Sequence, residues 1–419
     1  MPNALPPPLA LLLPFFLLLI GVAIFPLVLQ QHWEKHYQKF CAFLAVFTSG
    51  YYLFALRTVA PVQHAAGEYA SFVVVVGAFF VVAAGIHLHL PRAASPLVNI
   101  TFLFGGSILA NFIGTIGASM LLFRPFLHMN RGRATAIHVV FFIFIVGNLG
   151  GVLLPVGPPL FLGYVKGVPF LWAALHCWPA WLTATIALLV IFFVADTITL
   201  SRSKIAKTSP AHFYCYGKWN FGALLVLLLI LVFLPFGLRE VLMLAIAAVS
   251  YVLTPPRVFE ANEFSWRPLI EVAWIFFGIF GTMIPVIDYV ESRALDFHLA
   301  SDAHFYWTTG LLSGVLDNAP TYLTFLTAAL SLDRLDINHV ADVTRFASEH
   351  GGRLAAISLA ATLFGGLTYI GNSPNLLIRA IAESRHVPTP GFLAYIVRYA
   401  LPILIPVLAL VGFIFFHGR

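Results

Sequence analysis

The sequence predicts an all-α polytopic membrane protein: about ten transmembrane helices plus two re-entrant hairpins, arranged as two inverted-topology repeats. Three observations predict it. The chain is 60% hydrophobic and only 10% charged, against about 25% charged in a soluble domain, and its mean hydropathy is +0.92. Apolar runs such as Leu9–Leu29, Phe72–Leu90, Leu182–Val194 and Leu401–Phe416 recur along the chain, several near the roughly 20 residues that span a bilayer. Finally, an Asn-bearing turn inside an apolar hairpin, followed by a Gly/Asn/Pro-broken apolar helix, occurs twice. The first copy reads SILANFIGTIGASM (Ser107–Met120), then GNLGGVLLPVGPPL (Gly147–Leu160). The second reads SGVLDNAPTYLTF (Ser313–Phe325), then FGGLTYIGNSPNLL (Phe364–Leu377).

Taken in order, spans are expected near 9–30, 40–60, 69–90, 134–156, 170–196, 220–236, 238–254, 269–290, 354–380 and 393–416. No Lys or Arg precedes the first apolar run, which is as long as a true span, so it reads as a transmembrane helix and not a cleaved signal. The hairpins are expected at about 97–128 and 303–331, each too long for one span and too broken at its middle to be one helix. Residues 1–200 then form the first repeat, the basic stretch 201–218 a cytoplasmic linker, and 219–419 the second repeat. The charged stretch 331–353 reads as an external amphipathic helix.

Charge tests the orientation. With the N-terminus outside and each hairpin returning to the face it entered, 15 of the 23 Lys and Arg residues fall on the cytoplasmic side. Asp288, Glu291, Asp296, Asp302, Asp333, Asp336, Asp342 and Glu349 crowd the outer side of the second half. This bias fits the positive-inside rule and explains a basic pI better than a nucleic-acid partner does. Five spans per half make the second half inverted, so the two hairpins enter from opposite faces and their tips meet near the midplane.

Paired helix breaks in membranous sequence point to the midplane site of a secondary transporter, because unsatisfied backbone in hydrocarbon persists only where it lines a cavity or binds something. Half-helix N-termini suit anions and freed carbonyls suit cations. Asn111 and Asn318 offer neutral amide oxygens, ligands for a hard cation. Asp317 is the one carboxylate that hydropathy places deep in the membrane. Burial favours the neutral form of a carboxyl group and a bound cation favours the ionised form, so one such group can take a proton or a cation in turn. Thr115, Ser119, Thr321 and Thr324 could add hydroxyl oxygens or bond back to their own helix. Gly371, Asn372, Ser373, Pro374 and Asn375 break the later helix; Gly147, Asn148, Gly150, Gly151, Pro155, Gly157, Pro158 and Pro159 break its counterpart. Asp196, Glu271 and Asp288 are expected at helix ends near interfacial water, and Arg124 and Arg379 are expected to snorkel. The three cysteines, Cys41, Cys177 and Cys215, form no spaced motif. A membrane metalloenzyme is the rival class, since His32/His36 and His87/His89 have ligand-like spacings, yet no HxxHH cluster accompanies them.

At these motifs the chain resembles the ion transporter superfamily, and within it the NhaD-type sodium/proton antiporters and citrate-transporter-like proteins. The stretches LANFIGTIGASMLLFRP, FFIFIVGNLGGVLLPVGPPLFLGYVKGVPF, LLSGVLDNAPTYLTF and GGLTYIGNSPNLLIRAIAE carry the resemblance, in both halves. It implies a scaffold domain and a transport domain in a homodimer, moving by an elevator-like step. It also implies a non-enzymatic exchange of Na⁺ (or Li⁺) for H⁺ across the cell inner membrane. No cofactor is expected beyond those coupling ions. The site would comprise Asp317, Asn318, Thr321, Gly371, Asn372, Ser373 and Asn375 in the second half, with Asn111, Thr115, Asn148 and Gly157 lining the other. Two departures remove carboxylates from the first half. Ala110 precedes Asn111 where such antiporters carry Asp, and Gly157 runs directly into Pro158–Pro159. Sodium/proton antiport is the first expectation; the missing carboxylates speak for the alternative, a citrate or dicarboxylate symporter of the same superfamily, and the lack of a duplicated Ser-Asn-Thr turn speaks against it.

Overall fold

The computed structural model describes residues 8–89, 95–202, 214–293, 299 and 301–418. Its first part runs α1 (Leu13–Val28), α2 (Gln30–Gly50) and α3 (Ala60–Ala84), then a short strand β1 (His87–His89). The first hairpin is α4 (Pro96–Ile113) and α5 (Thr115–Met129). The first broken helix is α6 (Ala136–Phe142), a π turn (Ile143–Asn148), a 3₁₀ turn (Leu149–Gly151) and α7 (Pro158–Lys166), followed by α8 (Trp172–Arg202). Strand β2 (Tyr214–Tyr216) pairs antiparallel with β1. Then come α9 (Trp219–Phe233), α10 (Leu238–Leu253), α11 (Pro256–Ala261) and α12 (Arg267–Arg293). The second hairpin is α13 (Asp302–Ser313) and α14 (Asn318–Leu332), followed by α15 (Val340–Glu349). The second broken helix is α16 (Gly351–Leu363), a 3₁₀ turn (Phe364–Leu367) and α17 (Ser373–Ser384). Last are α18 (Phe392–Tyr395), a π-helical stretch (Ile396–Leu404) and α19 (Ile405–Phe416).

The all-α polytopic architecture is therefore present. Among the described residues, five helical stretches are long and apolar enough to cross a membrane: Ala60–Ala84, Pro96–Ile113, Trp172–Thr199, Arg267–Val290 and Phe392–Phe416. Both hairpins sit within a residue or two of their expected bounds. Two helix starts differ. The polar stretch from Gln30 is helical ten residues before the expected span, because Trp33 and Tyr37 bury their rings, Trp33 lying 5.8 Å from Phe25 and 5.9 Å from Phe40. Helix α3 starts at Ala60 and not near 69, with Pro61 in its first turn, where a missing N–H costs nothing. Most of the expected linker, residues 203–213, lies outside the described residues, as do Asp296 and residues 1–7. Helix α15 answers the expected amphipathic segment, burying Val343, Phe346 and Ala347 beneath a charged face that carries Asp342 and the Arg345–Glu349 pair.

The helices pack as two bodies. One comprises α1, α2, α3, α9, α10 and α12. Its centre is α12, where Gly281 approaches Ala45 of α2 and Phe276 stacks on Phe72 of α3 at 4.2 Å. Small residues allow such close approach where no hydrophobic driving force separates helix from lipid. The second body holds both hairpins, both broken helices, α8, α15 and α19. Helices α3 and α12 meet it at α5, α7 and α14, with Gly117 of α5 against Ala83 of α3 and Phe161 of α7 beside Phe72 at 6.3 Å.

Candidate functional site

The two hairpins turn differently. Helix α4 starts on a Ser95 cap, whose Oγ accepts from Val98 N at 3.2 Å, and ends at Gly114 with φ 76° and ψ 154°. That region is essentially reserved for glycine. Helix α5 then starts at Thr115 with no side-chain cap, so the N–H groups of its first turn are open. In the second hairpin residues 314–317 make the turn, and Asp317 caps α14 by accepting from Ala319 N at 3.0 Å. The other Asp317 oxygen has no partner among the described residues, and the side chain is partly accessible. Thr321 donates to Asp317 O at 2.9 Å and Thr324 to Pro320 O at 2.8 Å, both helix back-bonds.

Asn111 and Asn318 consequently play unlike parts. Asn111 lies in the last turn of α4, where Nδ2 donates to Ser107 O at 2.9 Å and Oδ1 accepts from Leu153 N at 2.7 Å. Its amide thus ties the hairpin to the irregular stretch of the first broken helix. Asn318 is the first residue of α14, and its Oδ1 accepts from Ser313 Oγ at 2.7 Å, a hydroxyl also 2.7 Å from Ala361 O.

The broken helices meet through their asparagines. Asn148 closes the π turn by donating to Ile143 O at 2.8 Å and also donates to Asn375 Oδ1 at 2.9 Å. Asn372 Nδ2 donates to Gly147 O at 2.9 Å and lies 3.1 Å from Asn148 Oδ1. Asn375 Nδ2 donates to Gly365 O and Thr368 O at 2.8 and 2.9 Å. Buried amides satisfied this way form a rigid polar network instead of a desolvation penalty. Asn372 and Gly157 occupy equivalent posts as the N-caps of α17 and α7, with Ser373–Pro374 and Pro158–Pro159 opening those helices. Gly371 nests among Gly365 O, Ser313 O and Gly314 O, and its N–H donates to Thr368 Oγ1 at 3.1 Å.

Asn148, Asn318, Gly371, Asn372, Ser373 and Asn375 thus gather at the meeting of the second hairpin with both broken helices, with Asp317 and Thr321 on the same α14 end. Asn111, Thr115 and Gly157 lie at the first hairpin. There Thr115, Gly114, Gly117, Val156, Gly157 and Pro158 face Val76, Phe79 and Phe80 of α3 across a narrow cleft of about 20 Å³, room for little more than one water in the present conformation. No carboxylate lines that cleft.

Sequence reading missed Ser313, Gly365 and Thr368. A signal was present: Gly150–Gly151 and Gly365–Gly366 each precede a helix cap by the same interval, ending at Gly157 and Asn372. At Gly365 an added Cβ would stand 2.8 Å from Asn148 Oδ1 and against the Asn318 amide, so this residue lets the two amides approach.

One expectation for a charged residue is corrected. Asp196 does not reach interfacial water: α8 continues past it, and the side chain is fully buried, 2.9 Å from Arg133, 2.8 Å from Asn99 and 3.1 Å from His138. Such a buried charge persists only with partners. Asp288, partly accessible near the end of α12 as expected, accepts from the Tyr52 hydroxyl at 2.6 Å. Arg124 pairs with Glu263 at 3.4 Å, and Arg379 pairs with Glu383 at 2.8 Å while lying over the Tyr369 ring. Glu271 stands in the first turns of α12, partly accessible. Of the histidine pairs, His36 Nδ1 is 3.0 Å from His32 O within its own helix, and His87 Nδ1 is 2.8 Å from the distant Asn262 Oδ1.

A helical multi-pass body in which two hairpins and two broken helices converge through buried amides belongs to the class of membrane transporters. The chain matches the family described as "Putative citrate transport" over residues 5–416, and it is a member of that family. No curated protein matches it.

Proposed function

We propose that the protein is a secondary active transporter of a citrate-class carboxylate anion, coupled to Na⁺ or H⁺ through Asp317. The observation that carries this reading is the first hairpin tip. The uncapped N-terminus of α5 opens on a cleft without a carboxylate, and open N–H groups with the positive end of a helix dipole attract anions. The family description supports the same substrate class. At the second hairpin, Asp317 offers one unengaged carboxylate oxygen beside Asn318 and the carbonyls around Gly371. That set is suited to a small cation or a proton. The matching order of hairpin and broken helix in 96–166 and 302–384 supports two repeats, which we take to be inverted.

A second reading, sodium/proton antiport, draws on Asp317 alone: one carboxylate can exchange a cation for a proton without an anion. Purified protein in liposomes separates the two. Uptake of radiolabelled citrate or succinate driven by an imposed Na⁺ or proton gradient supports symport. Alkalinisation of an acidic lumen by Na⁺ or Li⁺, with no carboxylate uptake, supports antiport.

A further inference from the structure

Helix α3 is, with α12, one of the first body's contacts with the hairpin-bearing body, and charged contacts fasten the α3 boundary at both of its ends. Near the start of α3, Glu68 pairs with Lys166, the last residue of α7, at 2.8 Å. Both side chains are at least nine-tenths buried, and Lys166 Nζ also donates to Asn338 Oδ1 at 2.8 Å. One turn further along α3, Ser71 takes a 2.7 Å hydrogen bond from Arg239 and donates to Glu240 Oε1 at 2.5 Å. The Arg239 guanidinium faces the rings of Phe161 and Tyr164 on α7, 5.9 and 5.8 Å away. The opposite end of α3 is tied to the α11–α12 loop by Asn262, which donates to Ala84 O at 2.8 Å and Ile86 O at 2.7 Å. From that loop Glu263 pairs with Arg124 of α5 and with Arg385 just past α17. Residues 68 and 84 of one helix stand about 24 Å apart at 1.5 Å per residue, close to the roughly 30 Å of a hydrocarbon core.

The two fastenings differ in kind. Glu263 is half exposed, at 50%, and exposed pairs exchange readily with water. Glu68 and Lys166 are buried, and losing either would strand an unpaired charge, which is far costlier. We propose that the Glu68–Lys166 pair is a latch: it holds the hairpin-bearing body against α3 in the present conformation and opens when the site moves to the opposite membrane face. This rests on the transport reading above, and its test needs no substrate.

The test uses the full-length chain with Cys41, Cys177 and Cys215 replaced by alanine. Spin labels go on His64→Cys in α3 and Ala341→Cys in α15, both exposed positions. Double electron–electron resonance then reports the distance between the two bodies in nanodiscs. The parent is expected to show one dominant distance. Glu68→Gln and Lys166→Met are each expected to add a second, shifted population, and the exchanged pair Glu68→Lys with Lys166→Glu to restore the parental distribution. Parental distributions in both single variants would overturn the latch, as would an exchanged pair that stays shifted. If the single variants do not fold, Asn338→Ala, which removes only the neutral partner of Lys166, is expected to give a smaller shift, and its absence overturns the proposal. Unchanged distances leave the transport reading intact, and failed carboxylate uptake leaves the latch intact.

Discussion

The two hairpins share an order of elements but place opposite chemistry at their tips. The first bends at a single glycine, Gly114, and presents the uncapped start of α5 to a carboxylate-free cleft. The second bends over four residues and ends on Asp317, whose carboxylate occupies the same helix start and covers it. A helix N-terminus without a cap draws an anion, whereas one capped by a carboxylate is already neutralised and leaves a spare oxygen for a cation. On the reading proposed above, two hairpins of the same element order offer two kinds of half-site, one for an anionic substrate and one for its coupling ion. The asparagines follow suit: Asn111 is consumed in tying its hairpin to Leu153, while Asn318 is held by Ser313 beside the amides of the broken helices.

The comparison can be broken most sharply at Asp317. Asp317→Asn keeps an oxygen to cap α14 but cannot ionise, so ion-driven uptake is expected to fall to the level of empty vesicles while the protein still inserts and purifies. Retained gradient-driven uptake would remove Asp317 from the coupling site. Next in size is Gly365→Ala, whose added Cβ would press on Asn148 and the Asn318 amide. Overpacking of this kind costs about 1–3 kcal/mol; a lower thermal midpoint and roughly tenfold slower transport should accompany it. Gly114→Ala forces a side chain into a glycine-only conformation, at about 1–3 kcal/mol. It is expected to raise KM for the carboxylate up to about tenfold in initial-rate series, since about 1.4 kcal/mol is tenfold in affinity, while leaving the cation dependence alone. A change in cation dependence instead would merge the two half-sites. Smallest is Thr324→Ala: its hydroxyl bonds only Pro320 O, so uptake and stability should change little, within about 0.5 kcal/mol. A large loss there would move the coupling site a turn along α14.

Much of this comparison was legible in the residues. The Asp317–Asn318 dipeptide, the absent carboxylates at Ala110 and Gly157–Pro158, and the glycine- and proline-rich breaks located both hairpins and both broken helices, because backbone-breaking residues are rare in apolar sequence and carry their own punctuation. Pro158 and Pro374 stand in the first turns of α7 and α17, although residues 157–169 fell outside every expected span. What could not be read were contacts between distant parts of the chain. The bonds from Asn148 to Asn372 and Asn375 join residues more than two hundred positions apart, and no local pattern encodes them. Asp196 looked interfacial because its partners Arg133, Asn99 and His138 come from other elements. The polar start of α2 looked like a loop because charged residues there hide a ring stripe of Trp33 and Tyr37.

The central claim is that the first hairpin takes the carboxylate and Asp317 couples its movement to a cation. The most direct measurement is uptake of radiolabelled citrate and succinate into proteoliposomes, with and without an inward Na⁺ or proton gradient, for the native chain and Asp317→Asn. The account expects gradient-stimulated uptake in the native chain and none above background in the variant. Carboxylate uptake that ignores every cation gradient, or Na⁺-driven proton movement with no carboxylate uptake, would contradict it.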